Sequence, residues 1–223
     1  MRLERTFWPV LALLVATLAL FELTSLDLRV QDRFFDFGAQ RWTVDAHAPV
    51  GRVLFYNGPK LLLIATGIGL LVLALGPASW RRGRTRRDVW VAFATLASLP
   101  VVIGAGKATT NVFCPSEIRR YGGDVPYVKV FGRYPADDRP ERRGRGFPAG
   151  HASGGFALFG LVALARTRRG RWLGVGAGLA MGWWMGGYQM LKGAHFLSHT
   201  LVTMWVGWLT FLFWREVLGR RAT

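Results

Sequence analysis

Cysteine is nearly missing from this chain, and acidic residues are scarce. Cys114 is the one cysteine in 223 residues, which excludes a disulfide-stapled module. Asp and Glu number 13 against 29 Lys and Arg, a net charge of +16. Taken alone, that balance points to nucleic acid. What the sequence also lacks is charge inside its apolar runs. Its 10 Trp and 15 Phe fall mostly in those runs, and the arginines cluster between them. A bilayer imposes that segregation, and a nucleic-acid partner is excluded. Hydrophobic residues make up 51% of the chain and mean hydropathy is +0.23, too apolar for a disordered chain.

A hydrocarbon core of about 30 Å demands roughly 20 mostly apolar residues per helix. Six stretches qualify, at about residues 7–23, 61–75, 89–106, 154–165, 172–190 and 200–214. The second and fourth are short and draw on flanking residues such as Phe55, Tyr56 or Phe147. Arg2 and Arg5 ahead of the first run resemble a signal peptide, but no small-x-small cleavage site follows, so an uncleaved anchor is expected.

Basic clusters follow the even-numbered spans and flank the termini: Arg81, Arg82, Arg84, Arg86 and Arg87; Arg166, Arg168, Arg169 and Arg171; Arg215, Arg220 and Arg221; and Arg2 with Arg5. Six spans place all four clusters on one side, cytoplasmic by the positive-inside bias, together with both termini. The arginines then set topology and meet anionic lipid head groups, with no catalytic role. The expectation is a single all-α membrane domain over residues 1–223, a six-span transmembrane helix bundle with outward-facing active-site loops.

Three segments face outward. Residues 25–60 interleave aromatic and charged residues around Leu28, Phe34, Phe35, Phe37 and Trp42, which suits packing over the outer face. Residues 107–152 form a long, compositionally ordinary loop, and such loops are usually functional. Its Arg119, Arg120, Arg139, Arg142, Arg143 and Arg145 exceed what topology requires, and an anionic ligand accounts for them. The third segment holds Lys192, His195 and His199, with both histidines on one helical face. Of the four histidines, only His47 lies apart from His151, His195 and His199. Ionisable groups at membrane depth are costly and usually functional.

Lys107 stands six residues before Cys114-Pro115. Pro148-Ala149-Gly150-His151 follows, then Tyr188-Gln189, five residues, His195, three residues and His199. This ordered set resembles the type 2 phosphatidic acid phosphatase superfamily over about the last 120 residues. That signature reads Lys, six residues, Arg-Pro; Pro-Ser-Gly-His; and Ser-Arg, five residues, His, three residues, Asp. The resemblance implies a phosphohistidine mechanism without cofactor or metal. His195 is then the nucleophile, His151 the general acid and base, and Lys107 a phosphate ligand. Imidazole suits both roles near neutral pH, and phosphoryl transfer needs positive charge around three equatorial oxygens. The implied partners are membrane lipids and a lipid phosphate or diphosphate substrate. Phosphatidic acid, phosphatidylglycerol phosphate, undecaprenyl diphosphate and lipid A are substrates the family handles. The implied location is a bacterial inner membrane with a periplasmic active site.

Four of the departures from the signature matter. Cys114 and Gln189 replace arginines, Ala149 replaces a serine, and His199 replaces the aspartate that would orient His195. Arg145, Lys192, Arg119 and Arg120 are expected to supply the missing cations, and His199 to accept a hydrogen bond from the His195 ring. Other readings stay open. His195 and His199 with His151 or Cys114 have the spacing of a zinc site, but the surrounding cations oppose a dication. A lipid phosphotransferase would use the same histidines, and a non-catalytic phospholipid-head-group carrier would use the same cations. Cys114 reads as a packing residue, and Gly182, Gly186 and Gly187 as close helix contacts.

Overall fold

The computed structural model describes residues 4–46 and 48–220; Arg2, His47 and Arg221 lie outside the described residues. The order is α1 (Glu4–Leu23), α2 (Leu26–Gln31), a hairpin of β1 (Phe35–Asp36) and β2 (Arg41–Trp42), α3 (Pro49–Leu75), α4 (Arg86–Thr109), α5 (Gly150–Leu164), α6 (Arg168–Leu191) and α7 (Leu197–Arg220). Four helices are long and apolar enough to cross a membrane: α1, α3, α4 and α7. Helix α4 is central and packs on α3, α5 and α7, while α6 covers α5 and α1 lies along α7. Leu99, Ile103, Ala152, Phe156, Phe211 and Leu212 fill the shared core.

Local chemistry explains the helix limits. Thr85 and Asp88 cap α4 reciprocally, each side chain accepting the other's backbone N–H at 3.1 Å. Thr167 caps α6 by accepting from the Gly170 N–H at 3.0 Å. Helix α3 starts at Pro49, well before the expected residue 61, because Val53–Asn57 form a π turn. That wider turn carries the helix through Gly58 and Pro59 and takes in the flanking Phe55 and Tyr56. Helix α5 is α-helical over Gly150–Phe156 and 3₁₀ over Ala157–Leu164. The steeper 3₁₀ rise stretches this short element to roughly 26 Å.

Helix α6 is low in hydropathy because glycine replaces bulk along one face. Gly174, Gly178, Gly182 and Gly186 recur every fourth residue, and a Cβ at any of them would meet α5 or α7. Gly182 abuts Phe156, and the backbone of Gly155 reaches it. Close approach of this kind needs small residues. Gly187, on the other face, has open space around its Cα. Gly182→Val should therefore lower the thermal midpoint in detergent by an amount matching about 1–3 kcal/mol of overpacking, and Gly187→Val should leave it unchanged. Equal midpoints for the two variants would disprove this account of the interface.

The two ends of the bundle differ. At one, arginines satisfy carbonyls between elements: Arg86 to Ala74 at 2.8 Å, Arg84 to Leu164 at 3.0 Å and Arg87 to Arg215 at 3.0 Å. At the other, residues 110–149 form a cap with its own apolar cluster of Phe113, Ile118, Tyr121 and Val125. Phe35 and Trp42 of the hairpin and Phe196 join that cluster. Three of the cap's arginines, Arg119, Arg120 and Arg142, pair with carboxylates within it or just past α2. Arg142 reaches Glu117 at 2.5 Å and Asp124 at 2.9 Å, and Arg119 pairs with Asp138.

Candidate active site

Three helix ends meet beneath the cap. Lys107, in the last turn of α4, donates from Nζ to the Arg145 carbonyl at 2.8 Å. Its side chain crosses Gly150, where a Cβ would stand 3.0 Å from Lys107 Cε. Lys107 therefore lies across the start of α5, beside His151. The Thr110 hydroxyl donates to the Phe147 carbonyl at 2.7 Å and holds the approach to α5 against the end of α4. The start of α5 is tied to α7 as well. The Ala149 N–H donates to the His199 carbonyl at 3.2 Å, and the Thr203 hydroxyl meets both the His199 and Ala149 carbonyls, at 2.9 and 3.2 Å.

This framework gathers the three histidines. The His151 and His195 rings are 6.1 Å apart between centroids, and those of His195 and His199 are 5.7 Å apart. Phe147 and Phe196 stand edge-on to His199 at 5.2 and 5.3 Å. His195 itself sits in the turn between α6 and α7. Its N–H donates to the Gln189 carbonyl at 3.3 Å, and Ala194 donates to the same oxygen at 2.8 Å. Gln189 thus shapes the turn through its backbone, while both atoms of its buried amide are without a partner among the described residues.

Burial holds the His195 imidazole well below the ordinary histidine pKa. His199, Lys107 and His151 push the same way, and the Gly146 carbonyl opposes them. The ring is therefore neutral at physiological pH and keeps a lone pair for attack. Nδ1 of His195 and Nδ1 of His199 are both buried without a hydrogen-bond partner among the described residues.

The expected cations divide. Lys107 and Lys192 both lie near enough to act on the charge of His151, and the Lys192 ammonium sits 5.1 Å from the Tyr188 ring centre. Arg145 is exposed and contributes its carbonyl to Lys107. Arg119 and Arg120 are engaged elsewhere. Arg119 pairs with Asp138, and Arg120 makes a two-pronged bond to Asp32 at 2.8 and 2.7 Å. Those pairs hold the Asp138 and Asp32 carboxyls below the usual range. Cys114 donates its N–H to Glu117 at 2.7 Å, and burial pushes its thiol up to about 12, so the sulfur stays protonated. Among the described residues, no three His, Cys, Asp or Glu side chains group as a metal site would.

Residues not singled out in the sequence complete the site. A cavity of about 520 Å³ opens beside His151 between α3, α4 and α5. Its polar wall carries Lys107, His151, Ser153, Tyr56 and Lys60, and its apolar wall Leu63, Phe93, Leu96, Pro100 and Met185. The π turn of α3 aims Tyr56 at His151, with ring centres 5.1 Å apart, and Lys60 lies 5.8 Å from the Tyr56 ring. A lysine heading an apolar run was the only signal of this wall.

A comparison with protein families now decides the lineage: the profile of the PAP2 superfamily matches residues 88–222, more than half of the chain. The chain belongs to the PAP2 superfamily. Membership supports phosphatase-type activity on phosphate esters. No curated protein and no solved structure matches the chain. The PAP2 segment takes in Lys107, His151, His195 and His199, and leaves Asp27, Tyr56 and Lys60 upstream of it.

Proposed function

We propose that this PAP2 protein is a membrane phosphatase that removes a phosphoryl group from a lipid phosphate or diphosphate, with His195 as nucleophile. The observation that carries the reading is the pairing of two imidazoles 6.1 Å apart with the Lys107 ammonium near both, where His151 and Lys107 line a largely apolar cavity. A gap of that size between ring centres accommodates a phosphoryl group in contact with both. The cavity suits a substrate with an anionic head and an apolar tail.

The neutral His195 ring attacks phosphorus, and the bond from phosphorus to the leaving oxygen breaks. His151 delivers a proton to that oxygen, so the lipid leaves as an alcohol, or as a monophosphate from a diphosphate. His151 then takes a proton from water, the oxygen of that water attacks the phosphohistidine, and phosphate departs with His195 restored. Lys107 and Lys60 hold the phosphoryl oxygens, and Lys192 adds positive charge near His151. Lys60 thus stands in for one of the arginines that Cys114 and Gln189 replace, and Arg119 and Arg120 take no part.

The six spans of the proposal are α1, α3, α4, α5, α6 and α7. The 3₁₀ half of α5 and the glycine face of α6 account for two spans that length and hydropathy alone leave out. Basic clusters at the end away from the histidines make that end cytoplasmic, and put the site on the periplasmic side of a bacterial inner membrane.

The test is phosphate release from a panel of lipid phosphates by purified protein in mixed micelles, with and without chelator, against His195→Ala. Turnover that survives chelator and is lost in the variant supports the reading. Wild-type release no greater than that of His195→Ala, on every substrate, ends it. Within the panel, Lys60→Ala should lower kcat/KM about tenfold, the size of one charge-assisted contact, and Lys60→Arg should restore most of it. An unchanged kcat/KM in Lys60→Ala would remove that residue from the site.

A further inference from the structure

The arm upstream of the PAP2 segment reaches into the histidine cluster. Asp27 of α2 is buried, and its carboxylate accepts two hydrogen bonds from Ser198: the backbone N–H at 2.9 Å and the hydroxyl at 2.5 Å. Ser198 lies in the first turn of α7, between His195 and His199. Gln31, one turn further along α2, donates to the Met190 carbonyl at 2.8 Å. Trp42 occupies the space where a Cβ at Gly193 would stand, and Gly193 has φ +76, a conformation glycine adopts freely. The arm therefore grips residues 190–199 from outside.

A small cavity lies where this grip meets His199. It measures about 20 Å³, room for one water, and Asp27, Ser198 and His199 all line it. Glu22 of α1 and Tyr127 and Lys129 of the cap are the other titratable groups on its wall. The buried, unpartnered Nδ1 of His199 belongs to the same ring. Burial pushes the Asp27 carboxyl up to about 6, against the pull of the two Ser198 bonds. A neutral amide could still hold Ser198, accepting its N–H at the oxygen and donating from the nitrogen to the hydroxyl, without a charge to desolvate. A carboxylate kept there, in a chain with only 13 acidic residues, calls for a use of its charge.

We propose that Asp27 is a positioning residue of the histidine cluster: through Ser198 it holds the first turn of α7, and beside His199 it supplies the negative charge that position 199 itself lacks. The inference rests on the phosphatase reading above. An aspartate at position 199 would orient His195 and support it as it becomes cationic. Asp27 provides that charge from a different element, with His199 between it and His195.

Asp27→Asn is the test, since it preserves shape and both links to Ser198. On phosphatidic acid in mixed micelles at pH 7.5, kcat should fall at least tenfold with KM within twofold of wild type. Because the folded-state pKa is raised from 3.8 to about 6, the carboxyl's contribution to stability is full below 3.8 and is lost as pH rises through about 6. Asparagine escapes that loss, so the variant should be at least as thermostable as wild type at pH 8. The acid limb of kcat near pH 6 should be present in wild type and flat in the variant. Wild-type kcat and pH profile in Asp27→Asn would overturn the proposal, as would a kcat loss that tracks a lowered midpoint shared with Ser198→Ala. If wild type releases no phosphate from any lipid phosphate, the phosphatase reading falls by itself. The ¹⁵N resonances of the His199 ring at pH 8 then decide on Asp27: a shift in Asp27→Asn sustains the coupling, and an unchanged ring refutes it.

Discussion

His195→Ala should abolish phosphate release, by at least a thousandfold, in a protein that still inserts and keeps its thermal midpoint. His195 is 3% exposed, and burial with three neighbouring basic groups keeps it neutral. A neutral imidazole is a nucleophile, and an imidazolium is not. Removing it removes the covalent step, leaving only the cations and the cavity to act on the ester. Folding should be affected little. The turn is held chiefly by backbone bonds to the Gln189 carbonyl and from Ser116 to the Gly193 carbonyl at 2.8 Å. His195→Gln, closer in volume, separates lost packing from lost chemistry. Turnover retained in both variants would dismiss His195 as nucleophile, and a collapse of both midpoints would make it a structural residue.

The sequence disclosed the parts of this site that are local and left out those that depend on packing. Lys107, His151 and His195 each close or open a helix, so their order and spacing announced them. The helical character of the chain and its long apolar helices were equally plain, because a run such as α4 or α7 is apolar over its length. Arg119 and Arg120 look in sequence like spare cations for a phosphate. In the structure Asp138 and Asp32, distant in the chain, engage them, and no local spacing betrays such partners. The span of α3 was expected to draw on Phe55 and Tyr56, but nothing local in the sequence announces the π turn that aims Tyr56 at His151. Asp27 was visible as one of few acids, but its bond to Ser198 spans 171 positions. A buried carboxylate declares itself only once the arm is folded onto the turn.

His151→Ala should show a loss that depends on the leaving group. For an alkyl ester, whose alkoxide is a poor leaving group, losing the acid should cost about a thousandfold in kcat, within the range of general acid catalysis. For an aryl phosphate the departing phenolate needs no proton, so phosphorylation of His195 should proceed almost unimpaired. Hydrolysis of the phosphohistidine still wants a base for water, and that base is gone. The variant should thus give a burst of phenolate close to one equivalent, followed by slow turnover, with an acid-labile phosphoryl group on the protein. The structure adds a reason for the intermediate to persist. His199 is 1% exposed and walled by Phe147 and Phe196, so its ring is poorly placed to activate bulk water in place of His151. His151, by contrast, faces the open cavity that Lys60 and Tyr56 share. Equal losses on the alkyl and aryl esters would show that His151 transfers no proton to the leaving group. A variant without burst or trapped phosphoryl group would assign the acid–base role to another residue.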